Sequence, residues 1–136
     1  MIKKIGILAL LVTLVASTAV ASVMACTRTP GYWKNHPEAW PRDFMIGDYD
    51  QDALMDILWT PVRGNVATNL AQKVIALQLS IDAWGSSTYA DGLMADAYDW
   101  LEEYYPGPVR PNTPEGQEGL ALAAEIDYLL NLYDEG

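Results

Sequence analysis

Cysteine, histidine and phenylalanine each occur once in the 136 residues. A single thiol closes no internal disulfide, so the fold has to be held by its apolar core. A lone histidine without a cysteine pair gives no structural zinc spacing. Runs in which β-branched residues alternate with polar ones are also lacking, which leaves strands with little support. Positive charge is scarce: eight Lys and Arg stand against eighteen Asp and Glu, for a net charge of −10. Such a field repels phosphate backbones and argues against nucleic acid as a partner. It leaves cation-rich or neutral partners open, polysaccharide included, and its plainest effect is solubility.

What is there begins with MIKKIGILALLVTLVASTAVASVMA, residues 1–25. Lys3 and Lys4 precede an uncharged apolar run that ends among Ala19, Ala21, Ser22 and Ala25, the layout of a secretory signal peptide. The run from Ile5 to Ala25 is also long enough to stay as a membrane anchor. Either way the expected place of the domain is outside the cytoplasm, extracellular or on the cell surface. Without Lys3 and Lys4, six basic residues face the eighteen acidic ones, and the mature part carries −12. Residues 26–136 have the length of a single domain with one core.

The periodicity of that domain is helical. An aromatic stretch through Asp48, broken by Pro30, Gly31, Pro37, Pro41 and Gly47, is expected to be irregular, with at most one helical turn around Asn35 to Trp40. DYDQDALMDILW then offers Asp48 and Asp50 as N-caps, places Leu54, Ile57 and Leu58 at helical spacing, and should stop before Pro61. From Asn65 or Gly64 the strongest helix carries a stripe of Val66, Leu70, Val74, Leu77 and Ile81, with Gly85 as its stop. A third helix, from Tyr89 or Ala90 to Tyr104, aligns Leu93, Ala97, Trp100, Leu101 and Tyr104, and PGPVRPNTPEG breaks it. The last, Pro114 to Tyr133, aligns Leu122, Ile126, Leu129, Leu130 and Tyr133. The expected fold class is therefore all-α: a compact four-helix bundle over 49–136, with the irregular aromatic segment 26–48 as a clasp and the signal peptide ahead of it.

The clasp segment reads CTRTPGYWKNHPEAWP over residues 26–41. Gly31, Tyr32, Trp33, Lys34, Asn35, His36, Pro37, Trp40 and Pro41 form a loop too aromatic to sit in water without packing on something. It resembles the opening of a widespread group of uncharacterised secreted bacterial and archaeal proteins, in which a Cys-Thr start is followed by GYWKNH and often PEAWP. The resemblance extends over TPVRGNVATNLAQKVIALQLS and, loosely, over the terminal LLNLYDEG. It implies an architecture and an exported location, and no activity. One position departs: Gln72 stands where the group often has histidine, which argues against a two-histidine metal site.

Each candidate chemistry has a plainer counterpart. His36 and Glu38 are the weak candidates for an acid/base pair, since imidazole titrates near neutrality and a carboxylate can orient it. Against that, His36 can simply bond loop backbone while Trp33 and Trp40 cap the bundle. Asp48, Asp50 and Asp52, with Asp56 beyond them, are weak calcium candidates. Counted from Asp48, however, the EF-hand glycine and glutamate positions hold Ala53 and Trp59, and helix capping accounts for the same residues. Cys26 follows Val23, Met24 and Ala25, a partial lipobox, so lipidation competes with a free or cross-linked thiol. Five tryptophans and eight tyrosines suit half-wet faces such as sugar platforms and protein interfaces, with Tyr32, Trp84, Tyr89, Tyr104 and Tyr105 as the expected exposed rings.

Together these features point to a non-enzymatic exported domain in cell-surface structure, adhesion or envelope interaction, with a cell-envelope protein or polysaccharide as partner. No cofactor is implied, and contact with a membrane is expected only through the leader or a lipid on Cys26. The alternatives are a small secreted hydrolase built on His36 and Glu38, and a carbohydrate-binding module built on exposed aromatics.

Overall fold

The computed structural model describes residues 27–132. The signal-peptide reading, Cys26 and Tyr133 lie outside the described residues. Within them the chain is all-α. α1 spans Pro30–Asn35, α2 Gln51–Trp59, α3 Val66–Trp84, α4 Thr88–Tyr104 and α5 Pro114–Leu132, with one 3-10 turn at Pro37–Ala39. No described helix is long and apolar enough to cross a membrane.

Short polar side chains start four of these helices. Asp50 accepts from Ala53 N at 3.0 Å, Asn65 from Ala67 N at 3.1 Å, Ser87 from Ala90 N at 2.9 Å and Thr113 from Gly116 N at 3.0 Å. Each satisfies one of the first amides that the helix itself cannot pair. Stops follow the breakers in the sequence: α3 ends at Gly85, whose φ is +101°, and α4 ends at Tyr105, ahead of Pro106. The aromatic segment is more ordered than its prolines suggest. Pro30 occupies the first turn of α1, where its missing N–H costs nothing, so a helix forms ahead of the expected turn within Asn35 to Trp40, which is the 3-10 turn Pro37–Ala39.

α3 is the centre, packing against α1, α2, α4 and α5. Its burial is consequently wider than one stripe. Ala67, Ile75, Ala76 and Leu79 are buried alongside Val66, Leu70, Val74 and Leu77, whereas Ile81 is only partly covered. A helix with neighbours on several sides loses the one-faced pattern that surface helices show. α5 reaches α3 and α4 through small residues: Gly116, Gly119 and Ala123 are buried, while Leu122, expected in the core, is half-buried. A Cβ on Gly119 would lie 2.7 Å from both Trp100 Cζ2 and Val66 Cγ1, so the absent side chain is what admits the indole of Trp100. That indole donates from Nε1 to Glu115 O at 3.0 Å.

The proline-rich connection after α4 is fixed by Asn65. Its Oδ1 accepts from Ala67 N and Val109 N, and its Nδ2 donates to Pro106 O and Thr68 Oγ1, at 2.9 to 3.1 Å. Val66 N donates to Val109 O at 2.9 Å beside it. One side chain thus caps α3 and ties down the loop that enters α5.

Candidate functional site

Two regions concentrate the chemistry-bearing side chains, and the first is the aromatic segment. Thr27 is 1% exposed, and its hydroxyl donates to Leu130 O at 2.7 Å, near the end of α5. Arg28 N donates to Ser80 Oγ at 3.1 Å, in the middle of α3. Trp33 Nε1 donates to Arg28 O at 3.2 Å, and Trp40 Nε1 donates to Trp33 O at 2.9 Å, so both buried indoles are satisfied within the segment itself. Such pairing is what allows an N–H-bearing ring to replace an aliphatic one in a core.

A ladder of flat groups runs along the same segment. The Arg28 guanidinium lies 5.1 Å from the Tyr32 ring centre and 5.9 Å from that of Trp84, within cation–π range. Tyr32 in turn stacks on His36, 4.2 Å between centres and 16° between planes. His36 Nδ1 is 2.8 Å from Tyr32 O. A carbonyl only accepts, so Nδ1 carries the proton in this contact. Lys34 Nζ sits 4.5 Å over Trp59, and Gln51 Nε2 donates to Pro37 O at 2.9 Å, which fastens the segment to α2.

The sequence-derived candidates sort as follows. His36 is engaged with Tyr32, and Glu38 is an exposed residue of the 3-10 turn with no hydrogen bond to it, so the structure does not assemble that pair. Asn35 is exposed and donates back to Gly31 O at 2.9 Å, and Pro37 and Pro41 flank the turns. Asp50 caps α2, Asp48 and Asp52 are exposed, and among the described residues no three His, Cys, Asp or Glu side chains come together as a metal site. Gln72 closes the other end of α2: its Nε2 donates to Ile57 O at 3.0 Å, which also accepts from Thr60 N, and to Thr60 O at 2.8 Å. The expected exposed aromatics need correction, since Tyr32, Tyr104 and Tyr105 are half-buried by packing on the core. Trp84 and Tyr89 are exposed as expected, and Tyr49, Trp59 and Tyr128 join them.

The second region was not legible as a site. A groove of about 820 Å³ opens between the 45–49 turn, α2, α3 and α4. Its floor is apolar, made by Leu54, Ile57, Val74, Ile75 and Leu101. One wall is the tight turn in which Ile46 and Tyr49 exchange both backbone hydrogen bonds at 3.0 Å. Gly47, at φ +58°, takes the first central position, where glycine avoids the penalty of a positive φ. Asp48, Asp82 and Glu102 stand on the rim, and among the described residues no Lys, Arg or His lines the groove.

A polar chain crosses the groove from α4 to α3. Tyr98 OH donates to Gln78 Oε1 at 2.7 Å, and Gln78 Nε2 donates to Asp82 Oδ1 at 3.2 Å. Burial, reinforced by the Asp82 charge, raises the Tyr98 phenol above its ordinary value. Tyr105 is raised as well, first by burial and then by Tyr49. Both phenols therefore stay neutral donors across the physiological range. A single sequence signal touches this region: Asp48 and Tyr105 had been singled out, for other reasons. Gln78, Asp82 and Tyr98 carry no spacing that marks them, because the groove brings together four segments that are separate in the chain.

Comparison of the chain with protein-family profiles, with curated proteins and with solved structures gives no match.

Proposed function

We propose that this chain is an exported, non-enzymatic domain in which four longer helices are clasped by the aromatic N-terminal segment, and that it acts at the cell surface by recognising an envelope component. The leader, the acidic mature sequence and the resemblance carried by CTRTPGYWKNHPEAWP supply the location. One structural observation supports recognition over catalysis: the versatile groups of the aromatic segment are spent on structure, His36 on Tyr32 above all. The groove between the 45–49 turn, α2, α3 and α4 is instead lined by apolar, phenolic and carboxylate side chains, the composition of a binding site. In this reading residues 26–48 are scaffold and the groove is the working surface.

The decisive measurement is the intact mass of the native N-terminal peptide from separated membrane and culture-fluid fractions. A start at Cys26, either bearing a diacylglycerol in the membrane or unmodified in the fluid, is expected. An unprocessed chain found only in the cytoplasm overturns the location. Turnover of any cell-wall or glycan substrate by the purified protein overturns the non-enzymatic half.

A further inference from the structure

We infer that the groove between the 45–49 turn, α2, α3 and α4 binds an organic cation, an amine or quaternary ammonium carried on an apolar body. The proposal rests on the recognition reading above and adds the chemical class of the ligand.

Three features of the groove select that class. Its volume, about 820 Å³, lies in the range that holds a small molecule with most of its surface covered. The floor of leucine, isoleucine and valine side chains rewards removal of an apolar body from water. The rim holds three carboxylates and no compensating cation, so it attracts a positive group and rejects an anionic one. Charge and shape coincide at Asp82. Gln78 donates to its Oδ1 and is itself fixed by Tyr98, while Oδ2 takes no donor among the described residues. Its position is therefore set by the protein, and its second oxygen is left to the ligand. Tyr49, Tyr98 and Tyr105 add rings to the same walls, and neutral phenols present faces on which an ammonium is stabilised. A phosphate, a carboxylate or an acidic peptide meets repulsion from the three carboxylates of the rim.

The test uses three probes that share one ring and differ in charge: tryptamine (cation), tryptophol (neutral) and indole-3-acetate (anion). Each is titrated calorimetrically into the purified protein. The expected result is one tryptamine site, on the order of tenfold tighter than tryptophol and weakened by added salt, with no binding of indole-3-acetate. The double variant Asp82→Asn, Glu102→Gln should lose the advantage of tryptamine over tryptophol while keeping its melting temperature. The same change in charge away from the groove, Asp96→Asn with Glu118→Gln, should keep it.

Equal affinity for tryptamine and tryptophol overturns the proposal, as does absence of tryptamine binding. Equal losses in the two double variants overturn it too, because they reduce the effect to the net charge of the surface. None of these results moves the N-terminal mass or the fractionation, so failure here and failure of the exported reading are separately visible.

Discussion

The aromatic segment and the groove are both rich in rings, and they use them in opposite ways. In the segment, each buried indole N–H has a backbone acceptor a few residues away, and the half-buried cations Lys34 and Arg28 lie over ring faces. In the groove, Tyr98, Gln78 and Asp82 form one chain across two helices that ends on an exposed carboxylate. A ring whose polar handle is satisfied internally is structural whatever its motif suggests. The site is better sought where polar groups converge and remain underused. On that ground we propose that the most distinctive stretch of the sequence is scaffold rather than working surface.

The comparison makes ordered predictions. Trp33→Ala should be the most damaging change, costing about 3 to 5 kcal/mol in denaturant unfolding, because it empties a fully buried indole site. A loss of under about 1 kcal/mol would mean that the segment is not part of the cooperative fold. Gly119→Ala, remote from both regions, provides a scale: forcing a methyl against Trp100 and Val66 should cost about 1 to 3 kcal/mol. His36→Ala should lower stability by about 1 kcal/mol through loss of one hydrogen bond and one stacked pair, with the shape of the far-UV spectrum unchanged. If that variant instead kept its melting temperature and lost a measurable activity, His36 would belong to a site and the contrast would collapse.

Alkaline pH separates the regions in another way. Tyr98 and Tyr105 are raised mainly by burial, and Tyr89 is pushed up to about 12, chiefly by its hydrogen bond to Glu125. A phenol raised in the folded state stabilises that state fully below its ordinary value of 10.0, and the contribution is lost as pH climbs through the raised value. Melting temperatures should therefore be flat to about pH 9 and fall between about 10 and 12. Tyr98→Phe should remove part of that fall. A variant that falls as steeply as the wild type would show that the phenol is not held by the groove. The smallest effect is expected from Asp82→Asn, within about 0.5 kcal/mol of wild type in stability, since an exposed rim carboxylate contributes to binding rather than folding.

The helices were legible because their stops and caps are written locally. Asp50, Asn65 and Gly85 act where the sequence places them, and Pro106 ends α4 as expected. Two aspects of the packing were not. α3 buries Ile75 and Leu79 beyond its stripe because four elements surround it, a tertiary fact that periodicity cannot carry. α5 meets Trp100 through Gly119 and the Arg110 backbone through Gly116, and a residue without a side chain leaves no mark in a hydrophobic pattern. The same limit hid the groove. Tyr98 reaches Gln78 and Asp82 only after α3 and α4 pack, whereas His36 and Glu38 are conspicuous by proximity in the chain and make no hydrogen bond to each other.

The burial of Thr27 against the end of α5 has a mechanical consequence. If Cys26 bears a lipid or a cross-link, the leash between that attachment and the folded body is a single residue, no more than about 3.6 Å of chain. A domain held that closely cannot swing as a bead on a string does. It would stay close to its support, so that the reach of every other face, the mouth of the groove included, is limited from the point of attachment.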